Sequence, residues 1–363
     1  MIKPLIILKY ISKENLVSLG VLFFFICFLF FAIDLVELLR RGASKDIPLK
    51  ILINISLLHL PALFPIILPT TFLLSTMHTF MRLNKNNELS ILKASGISFW
   101  FFVLPAVFNA IIVSLLFTLL LNPIFSQMNI KFRTYESLYF KGNSGLHTIS
   151  PTGLWLKEIT GTNEYVINSS HYSSEEKKLI NVKIFEFDRN DNFLRRIDAS
   201  EVEMFDDKWD LKNVSVVELN KNPNNFDLMS FKFNLSIEKI EQNFRSAETI
   251  SFWKLEEYIK NLENSGFNAR PHKVYLNYLF SFPLLLICMV LLGTKLSISM
   301  YRKKKVFLNI FAGLVFGIFF HFLTDVFRTV GISGKLSIFI SVWAIPTIFI
   351  LILLGYLIHT EDG

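Results

Sequence analysis

The stretch Leu16-Val-Ser-Leu-Gly-Val-Leu-Phe-Phe-Phe-Ile-Cys-Phe-Leu-Phe-Phe-Ala-Ile-Asp-Leu-Val36 carries a single charged residue, Asp34. Its length reaches the roughly 20 apolar residues needed to cross a bilayer as a helix. Its apolar region is too long for a cleavable signal peptide, and no small-x-small site follows, so it reads as a retained span. Five further stretches have the same character: about Ile51 to Phe80, Phe99 to Leu121, Tyr275 to Ser297, Val306 to Phe327, and Leu336 to Ile358. The second holds Pro61, Pro65 and Pro69, which predict a kinked or broken helix. Composition agrees with six spans. Hydrophobic residues make up 52% of the chain and charged residues 18%, below the roughly 25% usual in soluble domains.

Between the third and fourth spans the pattern changes. From about Asn122 to Pro271, apolar and polar residues partly alternate, and polar turns such as Asp188-Arg-Asn-Asp-Asn192 and Asp206-Asp-Lys208 interrupt the series. Leu179 to Phe187, Phe193 to Phe205, Trp209 to Val217 and Met229 to Ile237 read as short strands of an antiparallel β-sandwich, jelly roll or open roll. A helix closes the region: Ser251 can cap it, Leu255, Ile259 and Leu262 share one face, and Gly266 can stop it. The expected class is therefore a mixed α and β membrane protein. Spans one to three occupy residues 1–121, a strand-rich domain 122–272, and spans four to six 273–363.

Loop charge gives the orientation. With the N-terminus inside, the inner segments hold Lys3, Lys9, Lys13, Arg82, Lys85, Lys93, Lys295, Arg302, Lys303, Lys304 and Lys305. The short outer loops hold Arg40, Arg41, Lys45, Lys50, Arg328 and Lys335. The positive-inside rule then puts both termini in the cytoplasm and the strand-rich domain outside it. Basic residues cluster beside apolar runs and form no separate stripe, so nucleic acid is not an expected partner.

Motifs for catalysis are sparse. Cys27 and Cys288 lie inside apolar runs and read as small core residues. Gly331-Ile-Ser-Gly-Lys-Leu336 has two residues between its glycines and Leu after Lys, so it is a loop and not a phosphate-binding motif. His321 and Asp325 stand at i, i+4 on the fifth span, one turn before Arg328. They can be read as a membrane-embedded acid–base pair of a lipid-modifying enzyme, or as a local polar patch with Asp325 paired to Arg328. There is no HExxH or Gly-x-Ser-x-Gly pattern. No cofactor and no metal are expected. Gly313-Leu-Val-Phe-Gly317 suits a close helix contact.

The segment Asn86-Asn-Glu-Leu-Ser-Ile-Leu-Lys-Ala-Ser-Gly-Ile-Ser98 lies on the cytoplasmic side between spans two and three. It reads as a short helix over about 86–96, with Glu88 in its first turn, Leu89, Leu92 and Ala94 on a partly apolar face, and Gly96 at its end. Such a helix is either a connector or a docking point for a cytoplasmic motor. The run from Glu88 to Ser98 resembles the cytoplasmic coupling helix of the lipopolysaccharide export permeases, the LptF/LptG family. The proline-rich Leu60 to Pro69, the stretch Leu255 to Gly266, Tyr275 to Pro283 and the order of spans and external domain are similar as well. Gly153 to Lys157, Ile197 to Met204, Trp209 to Val214 and Val342 to Pro346 look more like the LptG branch.

The resemblance implies a transport subunit without catalysis of its own. It implies an external β-jelly-roll between spans three and four, a paralogous partner subunit, an LptB-type ATPase dimer below, and LptC and LptA as receivers of lipopolysaccharide. Glu88, Leu89, Leu92, Ala94 and Gly96 would form the coupling helix. Lipid A is anionic and greasy, so its cavity needs apolar walls and a basic rim. Spans one and five supply Phe-rich walls, and Arg40, Arg41, Lys45, Lys131 and Arg133 are the rim candidates.

Overall fold

A computed structural model describes residues 4–43, 45, 47–141, 146–147, 154–160, 163–173, 178–188, 192–205, 208–218, 222–231, 233, 246–264, 268–301 and 306–361. Lys3, the Arg302 to Lys305 cluster, Asn234 to Ile237 and Gly266 lie outside the described residues. The chain forms two compact units. One comprises Met1–Tyr135, Glu248–Leu255 and Arg270–Gly363; the other comprises Glu136–Ala247 and Glu256–Ala269.

In chain order the helices are α1 (Pro4–Gly42), α2 (Leu49–Lys85), α3 (Glu88–Ala94), α4 (Trp100–Leu116), α5 (Asn122–Glu136), α6 (Phe252–Asn264), α7 (Arg270–Tyr301), α8 (Val306–Ile332) and α9 (Ile338–Glu361). Six helical stretches are long and apolar enough to cross a membrane: Leu5–Gly42, Leu49–Lys85, Trp100–Phe140, Arg270–Ser297, Ile310–Ile332 and Ile338–Thr360. Within the helical unit α7 is the centre, packing on α2, α4, α8 and α9. In the most apolar window of each span, 67% of α7 is buried against 11% of α1. Much of α1 is therefore left uncovered by the other described residues.

The second span is not broken. α2 runs through Pro61, Pro65 and Pro69 as one helix. A proline removes one backbone donor, and in a packed bundle neighbouring groups can absorb that loss. The glycines explain the tightness of the bundle. A Cβ on Gly293 would stand 2.7 Å from the Leu73 carbonyl oxygen, and one on Gly313 would stand 2.7 Å from Met77 Sδ. The Gly313–Gly317 spacing thus serves a contact inside the chain, against α2. The Gly331–Leu336 segment holds the last two residues of α8 and then the expected loop: the Arg270 guanidinium donates to the Gly331 carbonyl at 2.6 Å and to the Leu336 carbonyl.

The third span passes beyond Leu121. Sequence alone places the change of pattern at about Asn122, where the continuous apolar run gives way to partial alternation. The helix instead widens to a π-turn over Phe117–Leu121 and continues as α5 to Glu136. The Asn122 N–H donates to the Phe117 carbonyl, five residues back. Pro123 has no N–H for the Leu119 carbonyl, and that oxygen accepts the Trp253 indole N–H at 3.0 Å. The polar residues after Leu121 therefore stay helical, and the strand-rich unit begins at Glu136.

In that unit, seven described strands form one antiparallel sheet: β1 (Leu146–His147), β2 (Leu154–Thr160), β3 (Asn163–Ser173), β4 (Lys178–Phe187), β5 (Phe193–Met204), β6 (Trp209–Glu218) and β7 (Asn224–Phe231). From β2 to β7 each strand pairs with the next, and β1 pairs with the far end of β3. The inward phase of the pleat flips midway along three strands. Leu179 and Val182 are both buried, as are Ala199 and Val202, and Leu211 and Val214. The flips lie on one line, where the positions between the paired residues are Ser170, Asn181, Ser200, Asn213 and Asp227. Asn181 and Asn213 both have φ of 51° there. A left-handed residue rotates the strand, so both halves of the sheet turn their apolar sides to a single core that contains Trp209, Ile184, Val202 and Phe233. The meander thereby rolls over itself, which is why the alternation is only partial in the sequence.

Candidate functional site

Two features of the helical unit stand out, the short helix between spans two and three and a polar cluster where α1, α2 and α5 meet. The short helix is α3. Asn87 precedes it with φ of 59°, and Gly96 follows it with φ of 78°. The Gly96 N–H donates to the Lys93 carbonyl at 3.0 Å and the Ile97 N–H to the Leu92 carbonyl at 3.3 Å. That pair of bonds is a Schellman stop, which needs a residue tolerant of the left-handed region. Glu88 accepts hydrogen bonds from the Tyr10 hydroxyl of α1 at 3.4 Å and from the Asn86 amide at 3.0 Å. Close by in sequence, Arg82 of α2 pairs with Glu14 of α1.

The five sequence-chosen residues of this helix fall on different sides. Leu89 is buried and Leu92 half-buried, while Ala94 and Gly96 are exposed. Sequence reasoning missed Ile91, which is 63% exposed. Two residues on a helix are about 200° apart, so burying Leu89 directs Ile91 outward. Lys93, also outward, lies over the Phe99 ring at 5.2 Å to the centroid.

The polar cluster begins at His59 on α2. Its Nδ1 lies 2.7 Å from Asp34 Oδ1 on α1, and its ring stacks on Phe132 of α5 at 4.3 Å between centroids. The candidate rim residues flank this junction. Lys131 and Arg133 adjoin Phe132 on α5, both exposed. Arg40 and Arg41 follow Asp34 by about two helical turns on α1. Arg40 is held by Glu37, with nitrogen–oxygen distances of 2.9 and 2.7 Å. Arg133 lies 3.6 Å from Glu248. Lys45 is exposed beyond the end of α1. Beside this polar end, α1 presents Phe24, Phe25, Phe28, Ile33 and Val36 outward, and α8 presents Phe311, Ile318 and Phe322.

On α8, His321 Nε2 stands 3.2 Å from Asp325 Oδ2, and Arg328 stands 3.3 Å from Asp325 Oδ1. Arg328 also covers the Tyr278 ring at 4.2 Å. One carboxylate shared between an imidazole and a guanidinium is a local polar cluster on one helix face. It borders an open groove of about 420 Å³ lined mostly by Ile318, Phe322, Val326 and Val330. Among the described residues no group of three or more His, Cys, Asp or Glu could hold a metal ion.

Six apolar helices in two blocks, an inserted rolled sheet and a pinned helix between spans two and three define a mixed α and β membrane protein. The model of the family described as lipopolysaccharide export system permease LptF/LptG matches residues 9–359. The chain belongs to that family, and is accordingly a multi-pass inner-membrane protein. It is similar to the lipopolysaccharide export system permease protein LptG of Escherichia coli K12, with 23% identity over 324 residues, 88% of each chain. It is also similar to LptF of the same strain and of Shigella flexneri, with 29% identity over 114 residues. That match covers 30% of this chain and 31% of the length of those LptF proteins.

Proposed function

We propose that the chain is the LptG-type permease subunit of an ATP-driven exporter that extracts lipopolysaccharide from the inner membrane. The breadth of the LptG alignment, 88% of each chain, supports that branch over LptF. In this reading the termini and α3 are cytoplasmic and the sheet unit is periplasmic. An LptB-type ATPase dimer binds α3, a paralogous subunit completes the lipid cavity, and the lipid leaves by way of LptC and LptA. ATP is hydrolysed in the partner, and this chain converts that work into closure of the cavity.

The observation that carries the reading is the build of α3. Leu89 anchors it, Glu88 ties it to Tyr10 of α1 and to Asn86 just past α2, Gly96 ends it, and Ile91 is left outward for a partner. Anchored so, a push on α3 moves α1 and α2 with it. The lipid side is supported by the uncovered Phe-rich faces of α1 and α8 and by the basic residues around His59. Such a cavity suits a ligand with acyl chains and phosphates.

Affinity purification of the tagged chain from native membranes tests it. The expected result is recovery of a cytoplasmic ATPase, a second six-span subunit and lipopolysaccharide together. Recovery of a second copy of this chain in place of a paralogue would overturn the heteromeric assembly. ATP-independent lipid modification by the chain alone, lost in His321→Ala, would replace the transport reading by the enzymatic one.

A further inference from the structure

We propose that His59 is a phosphate-binding residue for the lipid headgroup, with Asp34 as its positioning partner; the inference rests on the lipid-carrying reading above. An ionisable pair inside two apolar helices is costly, and such residues mark substrate paths more often than plain helix contacts. The geometry here suits binding. Asp34 Oδ1 lies 2.7 Å from His59 Nδ1, which fixes the orientation of the ring and places a proton on Nδ1. Asp34 Oδ2 is buried without a hydrogen-bond partner, so among the described residues the imidazole is the group that faces that carboxylate. The Phe132 ring, stacked within 10° of parallel, prevents the imidazole from swinging away.

Among the described residues no hydrogen bond engages the other ring nitrogen, Nε2, and the His59 side chain is 27% exposed. In the imidazolium form Nε2–H is a donor, and the charge on Asp34 leaves the pair neutral overall. A phosphate oxygen can then accept a charge-assisted hydrogen bond without facing an uncompensated carboxylate. Two acidic groups that pair with residues on α1 and α5 are themselves occupied. Glu37 is engaged by Arg40 and Glu248 by Arg133. Lys131 and Arg41 add positive charge on the two helices that meet at His59.

The test uses the full chain in lipid nanodiscs and three probes: bisphosphorylated lipid A, the dephosphorylated lipid with the same acyl chains, and inorganic phosphate. The wild-type protein should prefer the bisphosphorylated lipid. His59→Gln and His59→Phe should each weaken that binding about tenfold, or about 1.4 kcal/mol, and leave the dephosphorylated lipid unchanged. Asp34→Asn should fall between. Unchanged preference in both His59 variants, or equal loss for both lipids, overturns the assignment and leaves a packing role. Competition by millimolar inorganic phosphate overturns the lipid headgroup in favour of a free-anion site. A wild-type protein that binds neither lipid overturns the transport reading itself, an outcome distinct from failure at His59 alone.

Discussion

Asn122 holds the first amide of α6: its Oδ1 accepts the Phe252 N–H at 2.7 Å, while its Nδ2 donates to the Tyr275 hydroxyl at 3.2 Å. Sequence pointed to Ser251 as the cap, and the side chain that caps Phe252 comes from 130 residues earlier. One buried amide thus ties the π-turn of the third span to the start of α6 and to α7. Asn122→Ala removes a cap worth about 1 kcal/mol and leaves a buried Tyr275 hydroxyl unpaired, a further cost of about 1–3 kcal/mol. Faster hydrogen exchange at Phe252 to Leu255 and a lower melting temperature are expected. Asn122→Asp keeps the acceptor for Phe252 and should lose less. Equal exchange in all three proteins would refute the clamp.

A second prediction concerns the line on which the sheet rolls. Asn181 and Asn213 sit in the left-handed region with φ of 51°, where a β-branched residue is disfavoured by about 1–2 kcal/mol. Asn181→Val and Asn213→Val should each destabilise the sheet unit by about that amount, and the Gly variants should be nearly neutral. Limited proteolysis of the full chain reads the difference. The direction is diagnostic, because in an ordinary strand Val would be favoured over Asn and Gly.

These two sites show where sequence reading reaches its limit. Long apolar runs reveal spans because every backbone group in lipid must be paired within a helix. Strands separated by polar turns reveal the inserted sheet. A proline whose missing N–H is compensated by Trp253 carries no local signal, so the helical run past Leu121 was hidden. The fold-over of the sheet left a trace in the two asparagines, which break alternation where no turn follows. The same holds for the sites. Basic residues beside a span are visible in a string, whereas the pairing of Asp34 with His59 across 25 positions is not.

Close helix packing gives a third prediction. A Cβ at Gly293 would meet the Leu73 backbone oxygen at 2.7 Å, and one at Gly313 would meet the end of a methionine side chain at the same distance. Backbone cannot step aside, while Met77 can re-pack. Gly293→Ala should cost about 1–3 kcal/mol of overpacking, with Gly313→Ala clearly milder. Melting temperatures of the detergent-solubilised variants rank them, and the reverse order would refute the contact.

A fourth prediction addresses the basic rim. Arg40 is 74% exposed and leans on Glu37, an exchangeable surface partner screened by solvent. A lipid phosphate can displace it at little cost. Replacing Arg40 and Arg41 together by Glu should lower photo-crosslinking to lipopolysaccharide about tenfold or more, given like-charge repulsion at both positions. Glu37→Gln frees Arg40 and should leave crosslinking equal or higher. Unchanged crosslinking in the double variant would reduce the two arginines to interfacial anchors.

The last prediction separates the two faces of α3. Leu89 is buried at 4% exposure and Ile91 stands out at 63%. Leu89→Ala removes packing worth about 2–5 kcal/mol, so ATPase recovery and the melting temperature of the isolated chain should fall together. Ile91→Glu touches nothing in its own chain that must stay dry. It should leave the melting temperature within about 0.5 kcal/mol of wild type and still reduce ATPase recovery strongly. Gly96→Val forces a β-branched residue to φ of 78° and should act like Leu89→Ala, by disordering the end of the helix. Glu88→Lys belongs to the same group, because Glu88 bonds inward to Tyr10 and Asn86. Normal ATPase recovery with Ile91→Glu would mean that the motor does not dock on this outward face, even if the inward variants fail.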